Sequence, residues 1–116
     1  MKNSVNLLGH IGANPEVKQI KKDVKLASIQ MATSYSFRDK KGEIQTKTQW
    51  HELKLWAHLA TTAEKYLAKG DLIDIEGMIE YEHFEDKNGS KHVKAIIRVE
   101  RLLIVRSKAK AEKASK

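Results

Sequence analysis

The sequence predicts a small, mainly β domain whose strands close into a barrel, with one α-helix between the third and fourth strands. Three observations lead to this fold class. Apolar residues alternate with polar ones along most of the chain, turn residues separate the alternating runs, and one segment has helical spacing instead. With 116 residues the chain can bury one modest hydrophobic core, so we expect one domain.

Five strands are expected, and turn signals separate them. The first ends in GANPEVK, the second in the polar loop RDKKGE, and the fourth in EDKNGSK, where Asn88-Gly89 is the strongest hairpin signal in the chain. A five-stranded OB-type barrel has this strand count and size, although the pattern alone also fits other small α+β folds. In chain order the strands are expected at Val5 to Ile11, Val24 to Phe37, Thr48 to His58, Leu72 to Phe84 and His92 to Val105.

The helical segment is HLATTAEKYLAK, from His58 to Lys69. Gly70 stands where this helix would stop, because glycine readily adopts the left-handed conformation that ends helices. The predicted apolar face of the helix consists of Leu59, Ala63, Tyr66 and Leu67.

Composition and charge exclude several classes of protein. The chain has no cysteine, so neither disulfides nor a catalytic thiolate is expected, and no apolar run reaches the roughly 20 residues of a membrane helix. The N-terminus lacks a signal-peptide layout, which predicts a cytoplasmic protein. The net charge is +7, and residues 106–116 carry five cations and one anion of it, or +4. We therefore expect a mildly basic domain, residues 1–105, and a basic, disordered tail, residues 106–116.

The third strand points to a function, because its odd positions are mostly apolar and its even positions hold both tryptophans beside charged residues. Leaving a large ring exposed costs about 1.5–3 kcal/mol unless a partner covers it. Nucleic-acid bases are a suitable partner, since stacking on an aromatic ring contributes about 1–3 kcal/mol per base with little sequence preference. The odd positions are His51, Leu53, Leu55 and Ala57, and the even positions are Trp50, Glu52, Lys54 and Trp56.

Two phenylalanines extend this pattern. Phe84 lies on the even, polar face of the fourth strand, whose apolar face runs on the odd positions from Ile73 to Tyr81, and Phe37 stands at the mouth of a basic loop. Nearby cations would hold the phosphates. Rings that fill a second core layer or an oligomer interface are the alternative interpretation. The predicted nucleic-acid site comprises Phe37, Trp50, Trp56 and Phe84 with Arg38, Lys40 and Lys54.

Catalytic, metal and cofactor sites are not expected. The five histidines have no ligand spacing, and no cysteine supports them. The acidic residues of the fourth strand and of the following turn are interpreted as a solvated face, not as paired catalytic carboxylates. Gly9 and Gly12 precede a turn with no following helix, so they do not form a phosphate-binding loop.

Five segments, in order and with their spacing preserved over residues 4–104, resemble the bacterial single-stranded DNA-binding protein family: VNLLGHIGANPEVK, ATSYSFRDKKGE, QTKTQWHELKLW, AEKYLAKGDLIDIEG and FEDKNGSKH. The resemblance implies an OB-fold, a homotetramer, and sequence-tolerant binding of single-stranded DNA in replication, recombination and repair, by a nucleoid-associated protein that is not an enzyme. The family's stacking positions fall on the same four aromatic residues. Its backbone-contacting positions fall on Lys40 and Lys69 and on His58, where lysine is common, and His51 matches a subunit-contact position.

Two features depart from the family pattern. Glu80 and Glu82 stand where the family usually has basic residues. The chain also ends in lysines where the family has an acidic tip, so the sequence gives no support for recruitment of replication and repair proteins. An RNA-binding OB domain and an OB-like protein-interaction module are the alternative functions.

Overall fold

The structure is a computed structural model, and it describes residues 1–107. Six strands and one helix are present in this range. In chain order they are β1 (Val5–Ile11), β2 (Glu16–Lys21), β3 (Val24–Arg38), β4 (Ile44–Trp56), α1 (His58–Tyr66), β5 (Leu72–Glu85) and β6 (Lys91–Arg106). Most of the tail predicted for residues 106–116 lies outside the described residues.

The strands form one continuous sheet in the order β1-β5-β6-β4-β3-β2. β1 also pairs with β3, at His10 and Ile11, so the pairings of β1, β5, β6, β4 and β3 return to their starting strand and close a barrel. The pairing of β4 with β6 is parallel, and the other pairings among the described residues are antiparallel. The mainly β class, the barrel and the single helix are therefore as the sequence predicts.

The structure adds a sixth strand to the five predicted for the barrel, because β2 begins within the segment GANPEVK, for which the sequence predicts only a turn. β2 pairs with β3, and Asp23, at φ 68°, lies in the turn between them. Val17 alone of its residues is partly buried, so the strand shows no apolar alternation. An edge strand pairs on one side only and needs no buried face. With β2 counted, the helix lies between the fourth and fifth strands, β4 and β5.

The barrel interior and one side of α1 form the hydrophobic core. Leu53 and Leu55 of β4 are fully buried, as their odd positions predict. Ala57 is exposed, contrary to the same prediction, because β4 ends at Trp56 and Ala57 begins the turn into α1 with φ 55° and ψ −121°. The core cluster consists of Ile11, Ala27, Ile29, Met31, Leu53, Leu55, Ala60, Ala63, Leu67, Ile73, Ile75, Ile97 and Val99.

The helix α1 is shorter than the sequence predicts. It ends at Tyr66 instead of Lys69, because Leu67 returns to an extended conformation. Ala63 and Leu67 are buried, whereas Tyr66 is exposed, so the prediction that Tyr66 faces the core is wrong. Gly70, at φ 95°, lies in the loop after the helix as expected. No helix within residues 1–107 is long and apolar enough to cross a membrane.

Two hairpins extend beyond the barrel as exposed arms. The first arm, residues 34–48, carries the β3–β4 pairing outward to Arg38 opposite Ile44, and the second arm, residues 81–95, carries the β5–β6 pairing to Glu85 opposite Lys91. All residues of both arms are exposed except Asp39 at the first tip, which is partly buried. Tyr81 is therefore exposed and not in the core as its odd position predicts, because the barrel ends before it.

Candidate nucleic-acid interface

β4 places both tryptophans on the outside of the barrel. Leu53 and Leu55 point inward, so the side chains at the alternating positions point outward. Trp50 is 60% exposed at the start of this outward row, and Trp56 is half-buried at its end. The charged residues of the row lie between the two rings, as the alternation predicts.

The ring of Trp50 lies against the backbone of Gly12. A Cβ atom at Gly12 would be 2.4 Å from Cζ3 and 2.7 Å from Cη2 of the indole, so no side chain fits there without moving the ring. The Gly12 N–H donates to the Gln30 carbonyl, which fixes this backbone beside β3. The indole thus rests on the protein through one edge while most of its surface faces solvent.

The strand register extends the outward row of β4 onto β6 and β5. Lys54 pairs with Arg98, and further along β6 Lys94 pairs with Glu82. Directly paired residues lie on one side of a sheet, so these side chains share a surface. We call this surface the aromatic face; it comprises Trp50, Glu52, Lys54 and Trp56 of β4, Glu80, Glu82 and Phe84 of β5, and His92, Lys94 and Arg98 of β6.

Phe84 lies at the outer end of the aromatic face and is 48% exposed. His92 is its cross-strand partner, and the two rings stack with centroids 5.2 Å apart and planes inclined by 21°. One side of the phenyl ring is therefore covered by imidazole. The sequence prediction that Phe84 points away from the core is in agreement with this position.

Phe37 lies on the opposite face of the first arm. Trp50 pairs with Ala32 of β3, and Phe37 is an odd number of residues from Ala32, so the two rings point to different sides of the β3–β4 ribbon. Phe37 is 39% exposed, and its ring centroid is 6.1 Å from that of Tyr35. Tyr35 was not predicted as a site residue; its spacing of two from Phe37 was the available signal.

The cations of the aromatic face are paired with carboxylates. Lys94 Nζ lies 2.9 Å from Glu52 Oε2, and Lys54 Nζ lies 3.5 Å from Glu52 Oε1 and donates to Ser28 Oγ at 2.9 Å. Arg98 Nη1 lies 3.6 Å from Glu80 Oε1. The predicted site residue Lys54 is thus already engaged by a carboxylate. Sequence reasoning missed Lys94 and Arg98, whose signal was their even spacing along β6 from His92.

These ion pairs set the charge states on the aromatic face. Burial raises the pKa of Glu52, but the hydrogen bond from Lys94 and the charges of Lys54 and Lys94 outweigh it and hold that pKa below its ordinary value. The hydrogen bond to Glu52 raises the pKa of Lys94, which the charge of Glu82 also favours. The Glu52 carboxylate is therefore ionised and Lys94 is charged at neutral pH.

The other predicted basic residues lie at the tip of the first arm and at the ends of α1. Arg38 donates to the Gly42 carbonyl at 3.3 Å and, with Lys40, occupies the tip of the first arm. His58 is the exposed first residue of α1, and the exposed Lys69 follows the same helix. Of the predicted site, Trp50, Trp56, Phe84 and Lys54 share the aromatic face. Phe37 lies on the other side of the first arm, Arg38 and Lys40 lie at its tip, and His58 and Lys69 lie at the two ends of α1. Within residues 1–107, no group of three His, Asp or Glu side chains could hold a metal ion.

Comparison with known proteins identifies the family. Residues 2–105 match the model of the single-strand binding protein family. The chain belongs to this family. As a member, it is a non-enzymatic protein that binds single-stranded DNA, and its barrel is an OB-fold.

Two solved structures of this family resemble the fold closely. An SSB of Plasmodium falciparum, solved in complex with single-stranded DNA, superposes with a TM-score of 0.82 at 25% identity, over 90% of this chain and 96% of that one. A deletion mutant of the single-stranded DNA binding protein from Thermus aquaticus superposes with a TM-score of 0.79 at 24% identity. That match covers 93% of this chain and 52% of the Thermus aquaticus chain, so this chain spans about half the length of that relative.

Proposed function

We propose that the protein binds single-stranded DNA with little sequence preference by stacking unpaired bases on the rings of the aromatic face, and that it serves replication, recombination and repair at the nucleoid in the cytoplasm. The observation that carries the proposal is Trp50, whose indole is 60% exposed on a surface of charged residues. Such exposure is unfavourable for the free protein, and a stacked base would offset it by about 1–3 kcal/mol.

The path of the strand follows from the spacing of the rings. Trp50 and Trp56 are six residues apart in β4, or about 20 Å along a strand. One base cannot contact both, so successive nucleotides would visit the two rings. Phe84 would receive bases at the outer end of the aromatic face, and Phe37 would do so on the other side of the first arm.

Phosphate contacts would come from two groups of cations. On the aromatic face, Lys54, Lys94 and Arg98 would exchange their carboxylate partners for phosphate oxygens. Outside it, basic residues at the tip of the first arm and at both ends of α1 would bind the strand as it leaves the face. These outer residues are Arg38, Lys40, His58 and Lys69.

We also propose that the protein assembles as a homotetramer. Leu8 of β1 and Leu103 of β6 flank Asp74 of β5 in the register, and both leucines are exposed although apolar. Val105 adds a third exposed apolar side chain. Residues 5–8 of β1 pair with β5 on one edge and with no described strand on the other, so they offer an edge for pairing with a second copy. Sedimentation equilibrium would measure the subunit number.

The binding proposal is tested by titrating tryptophan fluorescence with an oligo-dT strand, with a duplex of equal length and with an RNA strand of equal length. Single-stranded DNA should quench the emission and bind far more tightly than duplex at moderate salt, because a duplex hides its base faces. Equal affinity for strand and duplex would refute stacking, and preferential RNA binding would favour the RNA-binding alternative. Tyr66→Ala, which removes an exposed ring of α1 outside the aromatic face, is the control.

A further inference from the structure

The tips of the two arms have the same sequence pattern. The first reads FRDKKGEIQ, residues 37–45, and the second reads FEDKNGSKH, residues 84–92. Aligned without gaps, the two segments share phenylalanine at the first position, Asp-Lys at the third and fourth, and glycine at the sixth. The ninth position is Gln45 in one and His92 in the other.

The first tip is organised around the carboxylate of Asp39. Its Oδ1 accepts hydrogen bonds from the Lys41 N–H at 2.9 Å and from the Glu43 N–H at 3.0 Å. Its Oδ2 accepts a third bond, at 3.2 Å, from Nε2 of Gln45 on the returning strand. Gly42 has φ 80°, a backbone conformation that favours glycine.

The second tip repeats this arrangement around Asp86. Oδ1 accepts from the Asn88 N–H and from the Ser90 N–H, both at 2.9 Å, and Gly89 has φ 79°. Oδ2 accepts from Nε2 of His92 at 2.8 Å. This bond from His92 contributes most to lowering the pKa of Asp86, with the bond from the Ser90 N–H next, so the carboxylate is ionised at neutral pH.

In both tips the residue bound to the aspartate is the cross-strand partner of the phenylalanine. Gln45 pairs with Phe37, and His92 pairs with Phe84. At the second tip the contact is explicit, because the imidazole stacks on the phenyl ring at 5.2 Å. Asp86 is thus connected to Phe84 through the side chain of His92, and Asp39 binds the side chain of Gln45, the register partner of Phe37.

We infer that Asp39 and Asp86 are positioning residues for DNA binding, each of which fixes the side chain that supports the stacking phenylalanine beside it. The inference rests on the proposed role of these rings in base stacking. A ring fixed before binding loses less rotational freedom when a base arrives, and such an immobilised side chain is worth about 0.5–1.5 kcal/mol. In each aspartate Oδ1 accepts the hydrogen bonds of the turn, and Oδ2 binds the side chain beside the phenylalanine. Stabilising the turn and positioning that side chain are therefore roles that substitutions can separate.

His92→Ala separates them, because it removes the imidazole and leaves the Oδ1 bonds of the Asp86 turn in place. We expect this variant to weaken single-stranded DNA binding about two- to twelvefold, measured by anisotropy of a labelled oligo-dT strand. In a Phe84→Ala background the same substitution should have no further effect. His92→Gln, which installs the residue of the first tip, should recover part of the lost affinity. Val93→Ala, next along β6 on the other side of the arm, is the matched control and should bind normally.

NMR of the free protein gives a readout that does not depend on binding. The ring protons of His92 should be shifted by the ring current of Phe84, and Asp86→Ala should remove most of that shift. An unchanged shift in Asp86→Ala, or an affinity loss from His92→Ala that persists in the Phe84→Ala background, would overturn the inference. If Phe84→Ala binds like wild type while Trp50→Ala does not, the support role is refuted and stacking on β4 stands. If wild type itself fails to bind, the proposed function fails.

Discussion

Glu52 is the carboxylate of the aromatic face that pairs with two lysines, so its replacement should change how strongly these lysines bind phosphate. It lies between Trp50 and Trp56 in β4, with Lys94 Nζ 2.9 Å from one carboxylate oxygen and Lys54 Nζ 3.5 Å from the other. It is ionised, since the two lysines hold its pKa below the ordinary value despite burial. Glu52→Gln keeps the shape of the side chain, removes its charge and releases both lysines for phosphate contacts.

The expected magnitude follows from counterion release. For a single strand, the logarithm of the binding constant falls with the logarithm of salt concentration by about 0.7 for each phosphate neutralised. Two released lysines therefore steepen the slope by up to about 1.4. Between about 0.3 M and about 0.05 M salt, this change amounts to up to about tenfold additional tightening relative to wild type.

The assay is a titration of labelled oligo-dT at several salt concentrations across that range, with thermal melts to verify folding. Glu64→Gln is the matched control, because it makes the same change in net charge and releases Lys25, 2.8 Å away, beside α1 and outside the aromatic face. A slope for Glu52→Gln that equals the slope for Glu64→Gln would refute the reasoning. That result would place the DNA path away from Lys54 and Lys94.

Three further predictions concern the same surface. Trp50→Ala should weaken binding by about 1–3 kcal/mol and leave the melting temperature unchanged, because the ring is mostly exposed. Trp56→Ala should lower both the affinity and the melting temperature, because Trp56 is half-buried. Binding titrations and thermal melts of both variants measure these effects. Gly12→Ala should displace the indole of Trp50, alter the emission spectrum of the free protein and weaken binding, and an unchanged spectrum would contradict the contact. The pKa of Glu52 is lower in the folded protein than in the unfolded chain, where it is about 4.3. The ionised carboxylate therefore stabilises the folded protein above that unfolded pKa, and this contribution is lost as the pH falls through the folded-state pKa. Melts of Glu52→Gln should therefore show a weaker loss of stability below about pH 4.3 than melts of wild type.

The alternation of β4 made part of the site predictable from sequence. Leu53 and Leu55 must both be buried, and a period of two then forces Trp50 to the opposite side. The alternation rule failed at Ala57, because β4 ends at Trp56 and side chains alternate between two faces only within a strand. It failed at Tyr81 because a strand that leaves the barrel keeps its alternation but loses its core.

Other features, such as the strand β2 and the side on which Phe37 lies, could be predicted only from the register between strands, and a single sequence does not give that register. β2 has no buried face to produce a pattern, so its pairing with β3 left no signal beyond Val17. Phe37 lies an even number of residues from the buried Ile29 and Met31 of β3, so its side chain points to the same side of the strand as theirs. The register between β3 and β4 then places it on the side opposite to Trp50. The repeated pattern of the two arm tips was readable in the sequence, but its meaning depends on which residue faces each phenylalanine.

The pairing of charges on the aromatic face bears on how the protein divides its affinity between stacking and electrostatics. A phosphate that binds Lys94 must displace Glu52, and one that binds Arg98 must displace Glu80, so each contact replaces one ion pair with another. The net gain of such an exchange is small compared with that of an unpaired cation. The exposed indole of Trp50 has no comparable competitor, since its free surface faces only water. Stacking should therefore carry an unusually large share of the affinity, and binding at high salt should depend on the rings far more than on the lysines between them.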